Sequence, residues 1–203
     1  KFSIVANQNK VVSITSANPS EGKSVFISNL ACTFAEQGEK TILIDADMRR
    51  PTVYKTFMVS NQNGLSTYLS GNSNLDESIL KTDVDNLDVM VGGPVPPNPA
   101  ELIGSDRFKN LLNTLSKDYE WVLIDTPPVN TATDASLIAA ASNGTIIVVP
   151  QGIADKSSVK GAIEQLKKVN AKILGSVMNR VNAKKTAGYG GYYGGYYGVD
   201  NKW

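Results

Sequence analysis

The chain has 203 residues, 41% hydrophobic and 19% charged, with a net charge of +1. That is enough for one well-buried domain, and the charge balance argues against a nucleic-acid surface or an acidic tail. Histidine is absent, which excludes His-based catalytic triads and the commonest zinc ligand, and the single Cys32 excludes an internal disulfide and fits a reducing compartment. No apolar run approaches the roughly 18 residues needed to span a bilayer, and no signal peptide is recognisable. Because the chain begins at Lys1 rather than Met, it reads as a fragment whose upstream part is not seen.

In chain order, Val11-Val12-Ser13-Ile14-Thr15 is a β-like run, and Phe26, Ile27, Leu30, Ala31 and Phe34 recur at helical spacing before Gly38. Between them lies Ala17-Asn18-Pro19-Ser20-Glu21-Gly22-Lys23-Ser24. Strand, tight turn and helix start form the context of a phosphate-binding loop, whose unpaired backbone N–H groups cradle phosphate oxygens. Ala17 stands where that pattern usually opens with Gly. Thr41-Ile42-Leu43-Ile44-Asp45 is a second strand, so strand, helix and strand make a βαβ unit with parallel strands.

Residues 52–86, broken by Gly64 and Gly71, read as loops and short helices. Leu87–Val91 is a third strand, and the prolines of 94–99 exclude regular structure until Pro99 opens a helix. After Ser105, Phe108, Leu111, Leu112 and Leu115 give a helical face. Trp121–Asp125 is a fourth strand, 134–142 a short helix, and Thr145–Val149 a fifth strand whose uniform apolarity predicts burial on both faces. Val159, Ala162, Ile163, Leu166 and Val169 mark another helix, and Ile173–Met178 the last strand. This alternation predicts an α/β fold with a mostly parallel central sheet and helices on both faces. From residue 183 onward the chain is dense in Gly and Tyr, which predicts a flexible tail at 183–203 after a domain at 1–182.

In parallel α/β sheets, ligands bind beyond the C-terminal ends of the strands. Asp45, Asp47 and Asp125 lie at or just past such ends, as does the loop. Carboxylates converging near a triphosphate require Mg²⁺ to offset their charge. A single strand-end Asp would more simply be a cap or turn residue.

Four stretches carry a resemblance to a known family. Ile42-Leu43-Ile44-Asp45-Ala46-Asp47-Met48-Arg49 resembles the extra acidic motif of bacterial protein-tyrosine kinases, D-x-D-x-R after a hydrophobic run. Val122-Leu123-Ile124-Asp125-Thr126-Pro127-Pro128 is similar to their second Walker motif, and Gly93–Leu102 to their G-P-x-P-P-N-P-x-E-L stretch. The C-terminal tyrosine cluster is the fourth.

The resemblance implies a P-loop NTPase-type fold and an ATP- and Mg²⁺-dependent protein-tyrosine kinase. Residues Ala17 to Val25, that is Ala17, Asn18, Pro19, Ser20, Glu21, Gly22, Lys23, Ser24 and Val25, would bind the nucleotide, with Asn179 at the adenine. Ser24, Asp47 and Asp125 would hold the metal, Lys23 would stabilise the transferring phosphoryl group, and Asp45 would orient the tyrosine hydroxyl and take its proton. Arg49 would pair with these carboxylates, with phosphate, or in a structural salt bridge. Tyr189, Tyr192, Tyr193, Tyr196 and Tyr197 would be the acceptors. A flexible segment from Asn182 to Tyr196 averages roughly 20 Å and reaches about 50 Å, so transfer within and between chains are both open.

The same resemblance implies a ring-shaped homo-oligomer, a membrane adaptor of the polysaccharide co-polymerase type, an opposing tyrosine phosphatase, and a cytoplasmic place at the inner face of the membrane in capsule or exopolysaccharide synthesis. The family's E-x-x-R-x-x-R helix for subunit contact is not in this stretch of sequence, which leaves oligomer formation open. The main alternative is an ATPase switch like the MinD and ParA proteins. Against it, Asn18 stands where those proteins carry a lysine, and the chain ends in tyrosines rather than a basic amphipathic helix. An iron–sulfur carrier would need paired cysteines. A third alternative is a tail that serves only as an interaction module.

Overall fold

The computed structural model describes residues 10–182; residues 1–9 and 183–203, with the five tyrosines expected as acceptors, lie outside the described residues. The elements are β1 Lys10–Ser16, α1 Lys23–Glu36, β2 Thr41–Asp45, α2 Val53–Thr56, α3 Leu65–Leu69, α4 Leu75–Ser78, β3 Leu80–Lys81, β4 Leu87–Met90, α5 Pro99–Gly104, α6 Asp106–Asp118, β5 Trp121–Asp125, α7 Asp134–Ala141, β6 Gly144–Pro150, α8 Lys156–Lys168 and β7 Ile173–Asn179. They build a seven-stranded sheet of order β3-β4-β2-β5-β1-β6-β7. Every pairing is parallel except β3 with β4. The mostly parallel sheet expected from the alternating pattern is present.

Strand alternation sorts the core into two layers. Val11, Ile42, Ile44, Val122 and Ile124 face α3, α5 and α6, where Phe108, Leu111 and Leu115 are fully buried. Further along that face, Ile147 packs with Ala135, Ala139, Ala162 and Leu166 of α7 and α8. On the other face, Val12, Ile14, Leu43, Leu123 and Val148 meet Ile27, Ala31 and Ala35 of α1, with Val53 of α2 beyond. Helices cover both faces, but unequally: among the described residues α1 is the one long helix on its side.

Several boundaries have local causes. Pro99 opens α5 at its first turn after Asn98, where the missing N–H would have had no partner. Ser105 caps α6 by accepting from Phe108 N at 3.3 Å, and Asp155 caps α8 by accepting from Ser158 N at 2.9 Å. The 52–86 region contains α2, α3 and α4 as short helices, but also the two-residue β3, which no periodicity could reveal. The fifth predicted strand is not buried on both faces: Ile146 and Val149 are only half-buried, because the cover over β6 is incomplete.

Glycines hold the rim loops together. A Cβ on Gly64 would lie 2.2 Å from Val91 O and 2.8 Å from Gly93 N, whereas one on Gly161, inside α8, would meet nothing within 4 Å. Gly64→Ala is therefore expected to destabilise the fold by about 2 kcal/mol or more through overpacking. Gly161→Ala should stabilise it by about 0.5–1 kcal/mol through helix propensity. Urea unfolding of both variants checks the pair; equal shifts would refute this packing of the rim.

Candidate active site

The site is assembled at the C-terminal ends of β1, β2 and β5. Register places Asp45 directly beside Asp125 across β2 and β5, and Ile14 beside Asp125 across β1 and β5. The loop leaving β1 and both acidic strand ends thus share one rim. Two buried hydroxyls tie the strand ends together: Thr15 Oγ1 donates to Pro127 O at 3.0 Å, and Thr126 Oγ1 to Ile14 O at 3.0 Å.

The loop is held from inside, so its backbone can present N–H groups outward. Ser20 and Gly22 take left-handed φ values of 62° and 90°. Glu21 is buried and folds its carboxylate back to accept from Asn18 N at 3.0 Å, while Ser16 Oγ donates to Asn18 O at 2.9 Å. No side chain caps the N-terminus of α1, and its first-turn N–H groups and helix dipole are open to an anion. Ala17 is fully buried in the cluster with Val129 and Ala135, which explains why Ala can replace Gly there. Pro19 and Ser20 are exposed on the loop's crest, and Val25, in the first turn of α1, is 67% exposed.

Asn179, at the end of β7, braces this loop: its amide donates to Glu21 O at 3.0 Å. A Cβ on Gly22 would lie 2.1 Å from Asn179 Nδ2, so glycine is required there for space as well as for φ. Arg180 adds a second brace, donating to Ser20 O at 2.7 Å.

Lys23 joins the acidic residues to the loop. Its ammonium lies 3.2 Å from Asp47 Oδ2, 3.4 Å from Ser24 Oγ and 3.9 Å from Asp125 Oδ1. Burial pulls the lysine's pKa down, but the charges of Asp125 and Asp47 outweigh it and leave the group raised and cationic. Asp125 is fully buried, and neither of its oxygens accepts a hydrogen bond. Burial pushes its carboxyl above the usual carboxylate range, opposed by Lys23. Burial and the neighbouring Asp125 charge do the same to Asp45.

Asp45 faces the loop that follows its strand. Its carboxylate is sealed from solvent, with Oδ1 accepting from Asp47 N at 3.2 Å and Oδ2 from Thr52 N at 2.8 Å and Val53 N at 3.0 Å. These contacts brace the 46–53 loop. Asp47 is also buried, at 6% exposure, and is paired with Lys23 while accepting from Arg50 N at 3.2 Å.

Arg49 contacts neither these carboxylates nor the phosphate loop. Its Nε and Nη2 donate to the two oxygens of Asp134, at 2.9 and 3.2 Å, and Asp134 is buried at the start of α7. Sequence reasoning missed Asp134 and Arg180. Asp134 follows a turn and opens a helix, which reads as an ordinary N-terminal acid; only the fold brings Arg49 to it.

Among the described residues no group of three His, Cys, Asp or Glu side chains is clustered tightly enough to hold a metal unaided. Mg²⁺ commonly uses only one or two carboxylates and completes its shell with phosphate and water. The buried Asp125 carboxylate, ion-paired with Lys23 at 3.9 Å and close to Ser24, fits that chemistry.

Known proteins with this arrangement were identified. The family model described as AAA domain matches residues 9–179. The chain is 40% identical over 192 residues to the tyrosine-protein kinase YwqD of Bacillus subtilis, covering 95% of this chain and 81% of that protein. It is 38% identical over 186 residues to the tyrosine-protein kinase CpsD of Streptococcus agalactiae, covering 91% and 81%. Among solved structures, the kinase domain of the Escherichia coli tyrosine kinase ETK superposes with a TM-score of 0.84 at 33% identity, covering 89% of this chain and 72% of that one. The cell division ATPase MinD of Pyrococcus furiosus superposes with a TM-score of 0.72 at 23% identity, covering 84% and 72%, a likeness of fold alone.

The Arg49–Asp134 pair makes an asymmetric prediction. Arg49→Ala strands a buried carboxylate and is expected to cost about 3 kcal/mol. Asp134→Asn keeps an acceptor for the half-exposed guanidinium and should cost less than half of that. Chemical denaturation of both variants checks this; equal losses would show that the pair does not hold the 46–53 loop to α7.

Proposed function

The chain belongs to the bacterial protein-tyrosine kinases, and from that premise we propose that it transfers the γ-phosphoryl group of ATP to its own C-terminal tyrosines. Its enzyme class is protein-tyrosine kinase and its loop is of the nucleotide-binding kind; the residue roles, the acceptors and the partners are our reading. The observation that carries the reading is the sealed Asp125 carboxylate, without a hydrogen-bond partner and 3.9 Å from Lys23, at the foot of the phosphate loop.

In this reading the loop N–H groups of residues 17–25 hold the phosphates, and Lys23 leaves its carboxylate contacts to bind the β- and γ-phosphoryl oxygens. Ser24 and Asp125 would hold Mg²⁺, with Asp47 acting through water; the metal supplies positive charge that offsets the phosphates. The acceptor oxygen forms a bond to the γ-phosphorus as the bond to the β–γ bridging oxygen breaks, and ADP leaves. Asp45 or Asp47 would orient the tyrosine hydroxyl, and the phenolic proton would pass to that carboxylate or to solvent. A carboxylate is a weak base for a phenol of pKa about 10, which is tolerable when the transition state is loose and the proton leaves late. Asn179 stands beside the loop, where a base bound against Gly22 would meet it.

The domain at 1–182 would act on a tail at 183–203 that carries Tyr189, Tyr192, Tyr193, Tyr196 and Tyr197. Transfer between subunits of a ring, release of the ring by the added charge, activation by a membrane adaptor, reversal by a phosphatase and a role in capsule or exopolysaccharide synthesis complete the proposal. Each phosphate adds about −1.5 to −2 charges, sufficient to drive like-charged tails apart. Among the described residues no helix is long and apolar enough to cross a membrane, so recruitment to the inner face would be through the adaptor.

Incubation with Mg·ATP, followed by mass spectrometry of residues 189–197, tests this. Phosphotyrosine is expected, and Lys23→Met should lower its rate by about a hundredfold or more. ATP hydrolysis without tyrosine modification, with an activator present, would instead favour a MinD-like switch. In a mixture of full-length Lys23→Met chains with tail-less active chains, modification of the inactive chain's tail would establish transfer between molecules.

A further inference from the structure

The unequal cover of the sheet leaves an apolar groove on the α1 face. Its cavity is about 320 Å³, lined by Phe26, Leu30 and Phe34 along α1, by Trp121, and by Ile146 and Leu174 on β6 and β7. None of these six side chains is fully buried, although all are large and apolar. They form a continuous strip. On α1 the residues at 26, 30 and 34 repeat every four positions, beside a second stripe at 27, 31 and 35 that is already buried against the sheet. One helix thus carries two apolar stripes, one fully buried against the sheet and the other only partly buried against the same core. The ring of Phe34 stacks on Trp121 with centroids 4.4 Å apart, which fixes the groove's end as a rigid aromatic wall. A contiguous apolar surface of this kind marks a contact site rather than a solvated face.

We propose that the occupant of this groove is the segment preceding β1, residues 1–9 of this same chain. Three observations select it. The chain enters the sheet at the groove: Lys10 is the register partner of Trp121, and Val12, two residues on, lines the cavity floor. The segment is apolar where it needs to be, with Phe2, Ile4 and Val5 among its first five residues and Lys1 its one charged residue. Its reach is sufficient, since nine residues span up to about 30 Å. A second copy or a separate partner would have to lose translational freedom to cover the same strip, whereas the connected segment is held at high effective concentration. Insertion of Phe2 between the α1 stripe and Leu174 would complete the helix's second contact. Because α1 carries Lys23 and Ser24 in its first turn, the segment before β1 would then brace the helix that presents the phosphate loop.

Trp121 is a built-in reporter. The chain has two tryptophans, Trp121 and Trp203, so Trp203→Phe leaves one. In that full-length background the triple change Phe2→Ala, Ile4→Ala, Val5→Ala should red-shift Trp121 emission and raise its acrylamide quenching roughly twofold. Hydrogen exchange should also accelerate in α1 and β7 while α6 stays protected, which separates loss of docking from loss of the fold. Unchanged Trp121 emission, quenching and α1 exchange in the triple variant would overturn the proposal. So would a quenching that depends on protein concentration, which points to a second copy, or one that changes on deleting residues 183–203, which points to the tail.

Discussion

A carboxylate sealed in the interior, with no hydrogen bond to either oxygen, is the constraint on which this molecule turns. An unpaired buried charge is among the most costly features a fold can hold. Asp125 is nevertheless placed at the end of a central strand, with Asp45 at its side and Lys23 3.9 Å away as its ion-pair partner. The remainder of the rim can be understood as the surroundings that make this tolerable. Lys23 is kept cationic by the acids it faces, and Asp45 spreads its charge over backbone N–H groups. Such a cluster is poised for cations and phosphates because it is under-satisfied without them.

The two strand-end aspartates show how identical side chains acquire different work from a shift of two residues. Asp45 is the last residue of β2, where strand geometry turns its carboxylate into the following loop. Asp47 lies past the strand, buried but turned to Lys23. The first accepts from backbone N–H groups of the loop, and the second pairs with the lysine of the phosphate loop. Arg49 then ties the same loop to α7 through Asp134, so the position of Asp47 depends on a helix nearly ninety residues away in sequence.

The phosphate loop has a comparable dependence. Its left-handed turns and uncapped helix start are local properties, but its shape is held by Asn179 and Arg180 at the opposite end of the domain sequence. These residues immediately precede the tail. The bracing therefore joins the nucleotide site to the root of the segment that carries the tyrosines. On the other side, α1 runs from the loop into the half-covered apolar groove, so both ends of the described chain bear on the same loop.

Much of the fold was legible in the amino-acid pattern. Apolar runs ending in Asp45 and Asp125, helical spacing at Phe108 to Leu115, and Pro and Gly punctuation are local signals, and the parallel sheet follows from their alternation. The loop at 17–24 was equally legible, because its chemistry needs a short contiguous stretch with strand and helix on either side. β3 was not, since two residues have no period. Neither were the partners of Arg49 and Glu21, the burial of Asp45, or the exposure of Ile146. Sequence by itself determined which residues could bind phosphate, and in which order strands and helices would come. Tertiary structure alone decided which carboxylate turns into its own loop and which turns to Lys23, and which face of the sheet is less covered among the described residues. Those outcomes depend on register and on contacts between distant segments, and no local pattern encodes either.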